Sequence, residues 1–293
     1  MTTPITTNRI ATHCTTSQTV SDKSMGRRCY WAPGARLDRM EGRAAFFDLD
    51  RTLIRRSSAL ALAGSFQQRG IIGRKQLAKA AAWQVLFAAR GAGAETVRKS
   101  AEDGLMLLKG LDVEEMRALV AGAMEPVLKP LVYREPLDLA RHHQERGEPA
   151  YIVSATLQEI IDPLAAELGF DGAVGSLCEV VDGRYTGRSL RACHGAGKAD
   201  AVRELAAAEG FDLTRSTAYS DSHTDLPFLE AVGNPVAVNP DRELQRIARE
   251  RGWPVLAFSE PLYPVVRRRF RPALLGVPLA LGAAVWAARR RAA

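Results

Sequence analysis

The chain has 293 residues, 46% of them apolar and 25% charged, which is the balance of a globular protein long enough to bury its own core and excludes collagen-like, mucin-like and wholly disordered chains. The net charge of +7 is unevenly placed: residues 262–293 hold seven arginines and no acid, residues 1–43 carry +4, and the stretch 44–261 carries −4. A mildly acidic body argues against binding nucleic acid, which needs a basic stripe on the folded domain, whereas the basic tail suits an anionic membrane surface or merely keeps the chain in solution.

In chain order, residues 1–39 are rich in Thr, Ser and Arg and contain no apolar run of the kind a secretory signal needs. They read as a disordered extension reaching to residue 42; a targeting peptide and a gene start placed upstream of the true initiator, Met25 or Met40, are the alternatives. Ala44–Phe47 is a short apolar run ending in Asp48, the pattern of a buried parallel strand. Residues 57–130 are dense in Ala, Leu, Gln, Lys and Glu and are broken at Gly70, Gly91–Gly93 and Gly110, which predicts four or five helices and no strand. Another helix is expected over Pro136–Arg146.

The pattern then changes. Strands are expected at Ala150–Ser154, near Val174, at Ser216–Ser220, Pro235–Val238 and Val255–Phe258. Helices are expected at Leu157–Leu168, Lys198–Glu209, Leu226–Val232 and Asp241–Arg251. Leu177–Val181 and Arg188–Ala192 read as a β-hairpin around the turn DGRYTG. Alternating strand and helix implies βαβ units and a parallel sheet with helices on both faces. Pro272–Ala288 is a run of 17 uncharged residues between arginine clusters. Spanning helices need roughly 17–25 apolar residues, so this is a candidate membrane-inserted or membrane-lying tail; a helix docked on the domain or on a partner is the alternative. The four cysteines (14, 29, 178 and 193) form no CxxC pair, which argues against a zinc site and fits reduced thiols in a cytosol.

Four short constellations carry chemistry. FFDLDRTL places Asp48, Asp50 and Thr52 at the carboxyl end of the first strand, where open α/β sheets bind ligands. Two carboxylates spaced i, i+2 there can serve as nucleophile and proton shuttle. Ser154 in VSAT offers a hydroxyl and backbone N–H groups suited to phosphate oxygens. Lys198 in GAGKADAV is one of only seven lysines beside 33 arginines, a hint that a compact point charge is wanted. SDSHTDLP brings Asp221 and Asp225 to a second strand end. Four carboxylates around one crevice call for a cation, and an all-oxygen set suits Mg²⁺. His223, alone among these carboxylates, reads better as a loop or substrate-edge residue than as a transition-metal ligand.

The order of these motifs resembles the haloacid dehalogenase-like (HAD) hydrolases, subfamily IB, the branch that contains the phosphoserine phosphatases. The likeness covers residues 43–260 and extends to VAVNPD at Val236–Asp241. It implies a Rossmann-like core over 43–56 and 131–260, an inserted all-helical cap over 57–130, and a tail over 261–293. It also implies roles. Asp48 attacks phosphorus; Asp50 protonates the leaving alcohol and then activates water; Thr52 orients Asp50; Ser154 and Lys198 hold the phosphoryl oxygens. Mg²⁺ is held by Asp48, Asp50 through its carbonyl, and Asp221, with Asp225 positioning Lys198 or a metal-bound water. Asp50 favours a phosphatase over a dehalogenase, which has no leaving alcohol to protonate. Two departures stand out. Arg55, Arg56, Ser57 and Ser58 occupy the stretch where phosphoserine phosphatases carry an ammonium-binding glutamate, so phosphoserine is not the expected substrate. The arginines suit a second anionic group or face solvent at the cap hinge. Ser222 and His223 replace the usual glycine and asparagine pattern of the fourth motif. The resulting expectation is a Mg²⁺-dependent phosphatase acting on a small-molecule or lipid-linked phosphomonoester, cytoplasmic and attached through its tail to the inner membrane face. A phosphotransferase using the same intermediate and a membrane-tethered, non-enzymatic module are the alternatives.

Overall fold

The computed structural model describes residues 42–73 and 104–263. The extension at residues 1–41, the middle of the expected cap and the candidate membrane segment 272–288 lie outside the described residues.

The strands are β1 (Ala45–Phe47), β2 (Ala150–Leu157), β3 (Gly172–Val181), β4 (Arg184–Arg191), β5 (Thr217–Ser220), β6 (Asn234–Val238) and β7 (Val255–Leu256). They form one sheet in the order β4-β3-β2-β1-β5-β6-β7, parallel throughout except for β4. β1 is central and fully buried, with Ala45 in register with Ala150 on one side and Thr217 on the other. Strand order reverses at the β1–β5 boundary. Right-handed crossovers on either side of it put the intervening helices on opposite faces and open a crevice at the carboxyl ends of β1 and β5.

The helices are α1 (Ser58–Gln68), α2 (Val113–Ala123), α3 (Glu135–Glu145), α4 (Gln158–Leu168), α5 (Ala196–Glu209), the single turn α6 (Leu226–Leu229) and α7 (Arg242–Arg251). Their ends follow local chemistry. Asp112 and Asp241 cap α2 and α7 by accepting from Glu114 N (2.9 Å) and Leu244 N (2.8 Å). α2 runs into a π-turn at Met124–Leu128, in the stretch that contains Pro126, and then a 3₁₀ turn at Lys129–Leu131. The described part of 57–130 contains no strand element, as its composition predicts.

Two boundaries differ from the sequence pattern. The hairpin turn is only Asp182–Gly183, with φ of 50° and 76°, so Arg184–Gly187 belongs to β4 rather than to a loop. A two-residue turn with both φ positive matches the twist of its strands, and Asp-Gly supplies it. Second, β2 continues past Ser154 to Leu157, with an irregular register against β3 between Val153 and Leu157. Ser154 therefore sits where the strand's register against β3 shifts.

The passages into and out of the helical insertion lie side by side. Arg55 N donates to Leu131 O and Tyr133 N to Leu53 O, both at 2.9 Å. A third segment joins them: Leu262 N donates to Val132 O (2.9 Å) and Arg134 N to Glu260 O (2.8 Å). The Glu135 carboxylate accepts from Ser259 N and Glu260 N, closing the clasp. Under the crevice, the Phe47 and Tyr219 rings stack at 4.4 Å. Tyr219 Oη lies 2.8 Å from His143 Nε2, whose Nδ1 lies 2.6 Å from Glu148, forming a buried polar chain.

Candidate active site

The sheet's switch point brings together residues far apart in sequence. Asp48 follows β1 directly, and its N–H still pairs with Tyr219 O at 2.9 Å, which fixes it beside β5. Lys198, in the first turn of α5, is 1% exposed. Its Nζ donates to Asp48 Oδ1 at 2.6 Å and to Asp225 Oδ2 at 2.7 Å, and it lies 4.7 Å from the centre of the Phe228 ring. Burial alone would lower the lysine's pKa, but the two carboxylates raise it further, so the ammonium is charged. Asp225 also accepts from the Ser220 hydroxyl at 2.7 Å.

Asp221 is buried and pairs loosely with Arg51, whose Nε is 3.5 Å away. Burial drives the Asp221 carboxyl well above its ordinary range, Asp48 adds to the rise, and Arg51 offsets part of it. Burial likewise pushes Asp48 up; Lys198 pulls it back in part and Asp225 adds to the rise. These carboxylates carry more negative charge than Lys198 and Arg51 neutralise at close range, the electrostatics of a cation site. Among the described residues, no three His, Cys, Asp or Glu side chains form a ready-made metal cage. Mg²⁺ takes one or two protein carboxylates and completes its shell with water and phosphate. Asp48, Asp221 and the backbone carbonyl of Asp50 are the groups that fit it. His223 is turned away: its Nδ1 is 2.9 Å from Asp241.

Asp50 is held from the cap side. Its Oδ1 accepts from Ser58 N at 2.8 Å, at the start of α1, and Ser58 Oγ lies 2.8 Å from Thr156 Oγ1. Burial raises the Asp50 carboxyl, and the bond from Ser58 offsets part of the rise. The hydrogen bond on Asp50 comes from Ser58, while the Thr52 hydroxyl is buried and has no hydrogen-bond partner among the described residues. Of the groups expected near Asp225, Lys198 is in contact with it. Ser154 is buried, and its Oγ accepts from Thr156 N at 3.1 Å. Arg55 gives its Nη2 to Pro130 O at 2.7 Å, bracing the hinge, and Arg56 is exposed.

Three contributors escaped the sequence reading. Ser58 has no signal beyond following two arginines and a serine. Ser220 stands as the first serine of SDS, within the motif yet without a chemical reason to be singled out. Asp241 shows only a helix-capping pattern ahead of an amphipathic run.

A family model described as haloacid dehalogenase-like hydrolase matches residues 45–230. A probable phosphatase of Mycobacterium tuberculosis, Rv3661, is 43% identical over 75% of this chain and 76% of its own length. The phosphoserine phosphatase SerB1 of the same organism is 38% identical over 82% of this chain and 77% of its own. A solved phosphoserine phosphatase, in a form described as a phospho-aspartyl intermediate analogue, superposes with a TM-score of 0.51 at 19% identity. It covers 76% of this chain and 96% of its own, a likeness of fold.

Proposed function

This chain belongs to the haloacid dehalogenase-like hydrolases and is a phosphatase of that family, and we propose that it hydrolyses a phosphomonoester with Mg²⁺ through an aspartyl-phosphate on Asp48. The observation that carries this reading is the buried Lys198 shared between Asp48 and Asp225 at the β1–β5 switch point. An ammonium there sits where the oxygens of a phosphoryl group attacked by Asp48 would need it.

The chain's own residues divide the work as follows. Asp48 Oδ forms the bond to phosphorus while the bond to the substrate's alcohol oxygen breaks in line. Asp50, whose carboxyl burial raises, gives a proton to the departing oxygen. The resulting carboxylate then takes a proton from water, which attacks the phosphoryl group and frees Asp48. Lys198 and Ser154 hold the equatorial oxygens, and Ser58 aims Asp50. Bound Mg²⁺ supplies the remaining positive charge against the phosphoryl oxygens. Asp48→Asn tests the assignment directly: phosphate release should fall by about 10⁴-fold or more, since loss of a covalent nucleophile removes the pathway. Retention of full activity by that variant defeats the proposal. EDTA should likewise abolish turnover and added Mg²⁺ restore it.

For the substrate, Ser57 and Arg55 bear on the choice. No carboxylate occupies the stretch Arg55–Ser58 that would hold a substrate ammonium, so phosphoserine should rank low in a phosphomonoester panel. Membrane attachment through 272–288 stays a proposal. Among the described residues, no helix is long and apolar enough to cross a membrane. The distribution of full-length and tail-deleted protein between membrane and soluble fractions tests it.

A further inference from the structure

The loop that carries Asp221 and Asp225 leaves the sheet at Ser220 and is a single tight turn over His223–Asp225. Backbone propensity does not hold such a loop in one shape; its contacts do. Four of them involve Asp241. Asp241 Oδ2 accepts from the Ser222 hydroxyl (3.1 Å) and from His223 N (3.0 Å), and His223 Nδ1 lies 2.9 Å away. Asp241 Oδ1 meanwhile caps α7 by accepting from Leu244 N (2.8 Å). Its own N–H donates to the Asp221 carbonyl at 2.8 Å. One residue thus ties the first half of the loop, Asp221–His223, to the start of a regular helix.

We infer that Asp241 is a positioning residue for the reaction: it clamps the first half of the 221–225 loop so that Asp221 faces Asp48, with His223 as the loop's half of the clamp. This deepens the phosphatase reading and rests on it for its consequence in catalysis. The physical reason is the angular tolerance of the site. A carboxylate used by Mg²⁺ must keep near-octahedral geometry, and residues that orient such ligands through one further hydrogen bond commonly matter 10- to 100-fold in metal affinity.

Asp241→Asn separates the clamp from the helix cap. Asparagine caps a helix as well as aspartate, so its amide oxygen keeps Leu244. The amide NH₂ cannot accept from His223 N–H or Nδ1–H. In the full-length protein, the calorimetric Kd for Mg²⁺ should rise by about 10- to 100-fold. The Mg²⁺ concentration for half-maximal phosphate release should rise in parallel, while kcat at saturating Mg²⁺ returns to within a few-fold of wild type. A merely structural loss would lower kcat at every Mg²⁺ concentration and leave the half-maximal point where it was. In EDTA, hydrogen exchange at the His223 amide should quicken while the Leu244 amide stays protected. Unchanged Mg²⁺ affinity together with unchanged exchange at His223 overturns the inference, as does a drop in kcat with no shift in the Mg²⁺ requirement. If the wild-type protein takes up no Mg²⁺, the phosphatase reading fails, and the exchange comparison alone decides the clamp: faster exchange at His223 upholds it and equal exchange overturns it. Should Asp241→Asn fail to fold, His223→Ala, which leaves the cap untouched, is judged by the same criteria.

Discussion

A lysine ammonium at 1% exposure keeps its charge only because two carboxylates offset its lost hydration. That makes Lys198 structural and chemical at once. Lys198→Met keeps the stem's volume and removes the charge, leaving Asp48 and Asp225 buried without their shared partner. It should cost about 3 kcal/mol in urea unfolding measured in EDTA, the scale for breaking a buried pair from one side. Phosphate release should fall by at least about 10²-fold, the scale for losing one donor to a transition-state oxyanion. Lys198→Arg is no rescue: a planar fork cannot occupy the point between two carboxylates and a phenyl face that a compact ammonium fills. Residual stability equal to wild type in Lys198→Met would mean that the carboxylates are neutral in the resting protein.

At the scale of elements, the helical segment between β1 and β2 meets the rest of the chain through backbone and side chains alike. The tip of the β3–β4 hairpin reaches the insertion: Val113 N donates to Gly183 O, Gly110 N to Tyr185 O and Tyr185 N to Leu111 O, at 2.8–3.0 Å. The hairpin's two-residue turn therefore does more than reverse the chain; it sets where α2 begins. Gly183 has φ +76° with open space where a Cβ would stand, so Gly183→Ala meets only the backbone penalty of the left-handed region. That substitution should destabilise the protein by about 1–2 kcal/mol in equilibrium unfolding. A cost near zero would show that the turn relaxes into a wider loop. The clasp of Ser259–Leu262 on Val132–Glu135 places the end of the described chain against the segment that leads into α3.

For the whole molecule, the switch point needs β1 and β5 in rigid register, and the packing beneath them supplies it. Phe47 and Tyr219 stack across the two strands, and the Tyr219 hydroxyl anchors the buried His143–Glu148 pair. Tyr219→Phe keeps the stack and deletes one buried hydrogen bond. It should lower stability by about 1 kcal/mol while leaving kcat within about two-fold, because the hydroxyl points away from the crevice toward His143. A large loss of kcat with unchanged stability would instead tie this polar chain to the reaction.

What the sequence determined by itself is the local chemistry and its order. An apolar run ending in Asp48, the i, i+2 carboxylates, an isolated lysine in an arginine-rich chain and a second acidic pair are short-range patterns, and each lies at a strand end or helix start as its periodicity predicts. Helix and strand types were legible for the same reason. What tertiary structure alone decided is which polar group meets which. Ser58 rather than Thr52 holds Asp50, Asp225 turns to Lys198, Arg55 braces Pro130, and Asp241 closes on the 221–225 loop. Those partners lie 8 to 75 residues apart in the chain. Hydrogen-bond pairing depends on positions and directions within about 3 Å, and these exist only once the sheet has brought the strand ends together.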